Sequence, residues 1–547
     1  MVIDNQQEEI RKQEKFYESI SPFEFKNNLI QLAQGSDKKA VRAMLNAGRG
    51  NPNWVAATPR DAFFTLGHFA VTESRRVWDE GDLAGKPQKQ GIYDRFIAYV
   101  QEHKNEAGSD LLHQVVEYGV KEKQFEPDAF VYELVDGIIG DNYPVPDRML
   151  VHAEQIAHDY VVQEMCDNDA SVGHFHLFAV EGATAAMCYL FDSLRENYLL
   201  NRGDKVAVMV PIFPPYVEIP HLARYDFDVV EIRALGVDNH GDHTWQYPDV
   251  ELEKLKDPDI QALFLVNPSN PPSVAMNKES VQHLLDVVKK NNPNLMIISD
   301  DVYGTFVEHY RSLMADLTYN TVGVYSFSKY FGVTGWRLGV IAIHEKNVFD
   351  DRLRSLSDDK KAILKSRYAS ITRYSEDFHF VDRIVADSRQ VALNHTAGLS
   401  TPQQVQLTLF CAFALLDREN KYKKLTQAIC QRRMKLLYDG LELPWPKLPH
   451  DADYYTEFDL EEWAIQRYGT DFMAFLRDHY EPVDILLRLA KKSSIVLLNG
   501  GGFYGPTWSI RVSLANLDDD AYATIGKALH NTLKEYVAEW KQQENIQ

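Results

Sequence analysis

Lys329 sits in the run SFSKYFGVTGWRLG, behind Ser326 and Ser328 and ahead of Arg337. Asp300 opens an earlier run, DDVY, that ends at Tyr303. A lysine amine attacks carbonyls once its pKa is lowered, and it then forms a Schiff base. An aldehyde cofactor with a ring nitrogen, pyridoxal phosphate, needs such a lysine. It also needs a carboxylate that keeps the ring nitrogen protonated and a cationic, N–H-rich cradle for its phosphate. In this chain Asp300 is the candidate for the ring nitrogen. Arg337, Ser326, Ser328 and the turn Gly182-Ala183-Thr184 are candidates for the phosphate. Asn270 and Tyr303 are placed to bond the phenolic oxygen of the ring, and Phe213 in PIFPPY to stack on its face.

These residues need elements to hold them. From about residue 150, short apolar runs alternate with helical periods: HFHLFAV, KVAVMV, FDVVEIRAL, IQALFLV, LMIIS and VGVYSF read as strands. That alternation predicts an α/β domain with a mostly parallel sheet flanked by helices. Ligands of such sheets bind beyond the carboxyl ends of the strands. Gly182, Phe213, Asn270, Asp300 and Ser326 each follow a different strand, so the loops converge on one site. Gly182-Ala183-Thr184 falls where a strand meets a helix N-terminus, which favours anions. The expected division is an N-terminal arm and part of a small domain over 1–60, and a large domain over 61–405 with a helical insertion near 61–140. A smaller α+β domain over 406–547 completes it.

The chain has 547 residues, 45% of them hydrophobic, and a net charge of −21. Such an acidic balance argues against nucleic-acid or acidic-membrane partners. Cys166, Cys188, Cys411 and Cys430 are scattered, with no disulfide framework or zinc knuckle. The N-terminal segment is charged and lacks a leader's apolar core, and no apolar run is long enough to span a bilayer. A cytoplasmic enzyme is expected.

Other readings of the same residues stay in view. Asp300 and Asp301 could cap a helix. Arg511, in the apolar run WSIRVSLANL, needs a partner; a substrate carboxylate is favoured over a structural ion pair. GGGFYG, Gly500 to Gly505, fits a dinucleotide fingerprint formally but leads into a strand, so it reads as a loop. His174 and His176 alternate on a strand without further ligands, and no metal is expected.

The motifs resemble those of the fold-type I pyridoxal-phosphate aminotransferases over most of residues 40–520. SFSKYFGVTGWRLG is similar to their lysine signature, NPSNPPS to their N-P-x-N-P-T-G element, DDVY to D-x-x-Y, and PIFPPY to their aromatic stacking loop. The resemblance implies that Arg511 grips the substrate α-carboxylate, with Asn270 beside it. Pro272-Ser273 stands where Thr-Gly is usual, which reshapes a turn but keeps Asn270.

Length, acidity and the runs SPFEFKNNLI, LNAGRGNPNW and LNHTAGLSTPQQVQ resemble a narrower group, the bifunctional aspartate 4-decarboxylases. That implies conversion of L-aspartate to L-alanine and CO₂ through a ketimine and an enamine, with side aspartate aminotransferase activity that uses a 2-oxo acid. A plain aspartate or aromatic aminotransferase is the alternative. Lys26 and Arg49 are the candidates for handling the β-carboxylate, and Gly50 brings its backbone near the substrate. In this fold two subunits share each site, and Tyr143 in GDNYPVPD corresponds to the tyrosine that reaches the partner's phosphate. The resemblance implies a homodimer assembling further into a dodecamer.

Overall fold

The computed structural model describes residues 5–36, 44–78, 82–144, 148–238, 242–389, 398–445 and 447–544. Residues 393–397 of LNHTAGLSTPQQVQ therefore lie outside them. After helices Asn5–Glu18 and Pro22–Ser36 comes a two-residue strand, β1 (Leu45–Asn46). Helices Ala57–Arg76, Ile92–Glu102, Ser109–Glu117 and Pro127–Ile139 follow and pack on one another and on helix Thr401–Leu416.

The apolar runs become β2 (Phe175–Val180), β3 (Lys205–Val210), β4 (Asp228–Arg233), β5 (Ile260–Val266), β6 (Met296–Asp300) and β7 (Thr321–Ser326). Gly339–His344 adds β8. They form a seven-stranded sheet in the order β2-β8-β7-β6-β5-β3-β4. Every pairing is parallel except those of β8, which runs antiparallel to both β2 and β7. The central strands are buried on both faces, which is why they read as unbroken Val/Ile/Leu runs rather than as alternating ones.

Register brings the strand ends level. Val266 lies beside Asp300, and Asp300 beside Val324. Gly339 lies between Val180 and Ser326. A Cβ on Gly339 would stand 2.7 Å from the Gly182 Cα, so only glycine lets the turn after β2 close over this edge.

A second core draws on both ends of the chain: Phe25, Leu29 and Ala47 pack with Met434, Leu486, Val512 and Tyr522 among others. It surrounds an antiparallel sheet of β9 (Tyr455–Asp459), β11 (Leu498–Asn499) and β12 (Ser509–Ser513), while β10 (Ile495–Val496) pairs parallel with β1. The expected boundary at 405 falls inside helix Thr401–Leu416. Its buried face, Val405 to Ala414, joins the larger core, because continuous apolar positions on one helix cannot be split between two cores. Among the described residues no helix is long and apolar enough to cross a membrane.

Candidate active site

A cavity of about 320 Å³ opens at the carboxyl ends of the sheet strands. Its walls bring together Gly50, Ala183, Thr184, Phe213, Asn270, Asp300, Tyr303, Ser326, Ser328, Lys329, Arg337 and Arg511, residues the sequence singled out from separate loops. Phe23, Val266, Val302, Thr334 and Tyr455 complete it.

Asp300 ends β6 and is buried. Burial pushes its carboxyl up to about 6, against the hydrogen bond donated by the Tyr216 hydroxyl at 2.8 Å, the Val302 N–H and the Lys329 charge. Asp301 points elsewhere. It accepts from the hydroxyls of Ser299, Tyr310 and Ser312 at 2.8, 2.8 and 2.6 Å, and burial pushes it up to about 7. Neither carboxylate caps a helix. Asp301 locks the strand end, and Asp300 is left facing the cavity.

Lys329 follows β7, and its Nζ donates to the Gly50 carbonyl at 3.1 Å. The Tyr454 hydroxyl donates to that same oxygen at 2.8 Å. Ser326 Oγ donates to Ser328 Oγ at 3.1 Å. Helix Ala183–Glu196 begins without a side-chain cap, so its first N–H groups are open to an anion. Gly182, at φ +88°, lies against the Arg337 guanidinium: a Cβ there would stand 2.8 Å from Nη2. Arg337 itself donates to the carbonyls of Glu181 and Thr334 at 3.0 and 3.1 Å.

Arg511 projects from β12 into the opposite wall and is 1% exposed. Its Nη1 donates to Asn270 Oδ1 at 3.2 Å and its Nη2 to the Gly48 carbonyl at 2.9 Å, while Nε is buried without a partner. Its guanidinium carbon lies 4.3 Å from the Tyr455 ring centroid and 4.9 Å from that of Phe503. Glu457, directly across the ladder, is pushed up to about 8, chiefly by burial. At neutral pH it is mostly protonated and leaves the Arg511 charge available to a ligand. The loop containing Gly500 to Gly505 enters β12, and its Phe503 packs at 6.0 Å on Phe23.

Lys26 and Arg49 do not line the cavity; they stand at its margin. Lys26 Nζ is 5.5 Å from the Phe23 ring. Its pKa is lowered by partial burial and then by the charges of Arg49 and Arg511. Arg49 is exposed. Tyr143 is 65% exposed and lies outside the cavity of its own chain.

Tyr216, Phe23 and Tyr455 escaped the sequence reading. Tyr216 ends the quoted PIFPPY run and was hidden behind Phe213. Tyr455 opens an ordinary-looking strand, YTEFD, and nothing in its neighbours marks it as facing a site. Among the described residues one further group, His243, Asp459 and Glu462, has ligand-type atoms within 4.8 Å of one another. It lies outside this cavity, and its contacts tie His243 to helix Leu460–Tyr468.

The donor set fits pyridoxal phosphate. A lysine, a buried carboxylate, an uncapped helix N-terminus with an adjacent arginine and serines, and a phenol line one cavity of suitable size.

The sequence model of the aminotransferase class I and II family matches residues 179–529. A Pseudomonas protein described as a bifunctional aspartate aminotransferase and L-aspartate beta-decarboxylase is 47% identical over 525 residues, covering 96% of this chain and 97% of that one. A tyrosine aminotransferase of Dictyostelium discoideum is 31% identical over 189 residues, covering 32% of this chain and 40% of its own. Among solved structures, an aspartate aminotransferase from Rhizobium meliloti gives a TM-score of 0.58 at 15% identity, over 94% of this chain and 96% of its own. An aromatic aminotransferase from Pyrococcus horikoshii gives 0.56 at 16% identity, over 92% and 99%. At such low identity these likenesses show a shared fold. The family match spans more than half of the chain and the Pseudomonas relative aligns along nearly all of it, so the chain belongs to the class I and II aminotransferases.

Proposed function

We propose that this enzyme converts L-aspartate to L-alanine and CO₂, with transamination of aspartate by a 2-oxo acid as a side activity. The observation that carries the reading is a second source of positive charge beside the cavity. Arg511 lines the wall, and Lys26 Nζ stands 5.5 Å from the ring of Phe23, which lines it too, so both carboxylates of a dicarboxylate can meet a cation. The activities named for the Pseudomonas relative agree with it.

Asp300, Tyr303, Asn270, Phe213, Lys329 and the cradle of Gly182, Ala183, Thr184, Ser326, Ser328 and Arg337 hold pyridoxal phosphate. The cofactor supplies, when bound, an electron sink conjugated to the substrate nitrogen. Arg511, with Asn270 and the Gly50 backbone, holds the α-carboxylate. Lys329, whose Nζ lies in the cavity, would take and return the Cα proton. Lys26 and Arg49 orient the β-carboxylate, and Lys26, its pKa lowered, delivers a proton to Cβ after CO₂ leaves. The balance is aspartate plus one proton giving alanine and CO₂. Where Cβ keeps its carboxylate, hydrolysis yields oxaloacetate and the transaminase outcome.

The enzyme works in the cytoplasm as a homodimer with shared sites. Tyr143 of each chain reaches the phosphate held by its partner, and six dimers form a dodecamer. The larger lobe runs broadly from residue 61 through helix Thr401–Leu416, and the two chain ends build the smaller one.

The test is product analysis of the purified enzyme with aspartate and a trace of 2-oxo acid. Alanine and CO₂ in equal amounts are expected, and Lys26→Gln is expected to raise the share of oxaloacetate at least tenfold. Oxaloacetate without CO₂ from the unaltered enzyme would sink the reading.

A further inference from the structure

We propose that Tyr455 is a positioning residue with two separable parts: its ring holds the Arg511 guanidinium, and its hydroxyl sets the direction in which Tyr303 donates its proton. This rests on the cofactor reading above and extends it to a residue to which no motif pointed.

Tyr455 is buried, opens β9 and lines the cavity. It pairs across the ladder with Ser513, two positions from Arg511, so its ring reaches Arg511 diagonally on the same face. The separation of 4.3 Å places the guanidinium on the ring face, where a cation is attracted by the π-cloud. The other restraints on Arg511 are the Phe503 ring, whose centroid is farther away at 4.9 Å, and two carbonyl oxygens that accept from its Nη atoms; its Nε has no partner.

The hydroxyl does separate work. Tyr303 is buried and donates its one proton to the Tyr455 hydroxyl at 3.0 Å. A phenol has a single proton to give. To serve the phenolic oxygen of a bound ring, Tyr303 must turn that proton toward the cavity. Its oxygen then becomes an acceptor, and the Tyr455 hydroxyl, turned around, is the donor in place. A donor at its back makes Tyr303 a stronger donor at its front. Lys329 faces the same part of the cavity, its Nζ donating to the Gly50 carbonyl. A Cβ on Gly50 would stand 2.6 Å from the Tyr455 hydroxyl and 3.1 Å from Lys329 Nζ, so both groups look onto the same small space.

The test uses the cofactor-loaded enzyme and the pH midpoint of its near-visible absorbance band, which reports how strongly the phenolic oxygen is hydrogen-bonded. Tyr455→Phe keeps the ring and removes the hydroxyl. Its midpoint is expected to rise by about half a pH unit, roughly threefold in proton affinity, with KM for aspartate within about twofold of the parent. Tyr303→Phe is expected to shift the midpoint further, and Tyr303→Phe/Tyr455→Phe to match Tyr303→Phe alone. Tyr455→Leu removes the ring and is expected to raise KM for aspartate at least about fivefold. An unmoved midpoint in Tyr455→Phe, or additive shifts in the double variant, would overturn the role of the hydroxyl. Equal KM values in the Phe and Leu variants would overturn that of the ring. Absence of any near-visible band in the unaltered enzyme, or its persistence in Lys329→Ala, would instead defeat the cofactor reading itself.

Discussion

Removing the Tyr216 hydroxyl should move the pH at which the protein accepts its cofactor. In the empty protein burial pushes Asp300 up to about 6, and the 2.8 Å hydrogen bond from Tyr216 is the largest effect opposing that rise. A hydrogen bond to a charged acceptor contributes about 1.5–3 kcal/mol, and 1.36 kcal/mol corresponds to one pKa unit. Tyr216→Phe therefore raises Asp300 by about one to two units, to roughly 7–8. The sign follows from what the cofactor requires. A protonated ring nitrogen wants an ionised Asp300, so affinity falls as pH drops through the carboxyl's pKa. With a shifted value near 7.5, the ionised fraction at pH 6.5 falls from about three-quarters to about one-tenth, an affinity loss of roughly eightfold. The assay is equilibrium titration of the cofactor-free enzyme with pyridoxal phosphate between about pH 5 and 9. Comparing variant with parent cancels the cofactor's own titrations. The acid limb should sit one to two units higher in Tyr216→Phe. Coincident acid limbs would refute the assignment of Asp300 to the ring nitrogen, or of Tyr216 to its control. The same raised pKa stabilises the empty fold below about pH 4, and that contribution is lost as pH rises through about 6.

Two further substitutions probe the opposite wall. Arg511→Lys replaces a planar fork with one ammonium in a buried place. KM for aspartate should rise about tenfold to a hundredfold while the cofactor band stays put, as steady-state kinetics and spectra would show. Gly50→Ala places a methyl 2.6 Å from the Tyr455 hydroxyl and 3.1 Å from Lys329 Nζ. A fall in kcat of about tenfold or more is expected, with melting shifted by only a few degrees; kcat within twofold of the parent would show that the clearance is not needed.

The large sheet was legible because its strands are buried on both faces, and unbroken apolar runs betray that burial directly. The site residues at strand ends were legible because Lys329, Asp300 and Asn270 interrupt those runs with chemistry that a core would not tolerate unpaired. Tyr216 and Tyr455 were not legible, since a tyrosine in an α/β core is ordinary and only tertiary packing shows which hydroxyl meets Asp300 or Tyr303. The helix Thr401–Leu416 was assigned near a boundary because its apolar face has the same period whichever core it joins. Lys26 and Arg49 lie far from the signature lysine in sequence. What places them near Arg511 is the pairing of β1 with β10 and the packing of helix Pro22–Ser36 on Asp484–Ser493, and neither contact leaves a mark in local composition.

The crowding of Lys26 against Arg49 and Arg511 also bears on how a turnover ends. These cations repel one another until a ligand with two carboxylates compensates them. If Lys26 and Arg49 hold the β-carboxylate as proposed, loss of CO₂ removes their ligand, and alanine would leave both uncompensated. Forfeiting one charge-assisted contact weakens binding by about 1.5–3 kcal/mol, or roughly tenfold to more than a hundredfold. The product is thus a poorer ligand than the substrate by virtue of the bond just broken. On those roles, accumulating alanine should compete only weakly with aspartate for the site.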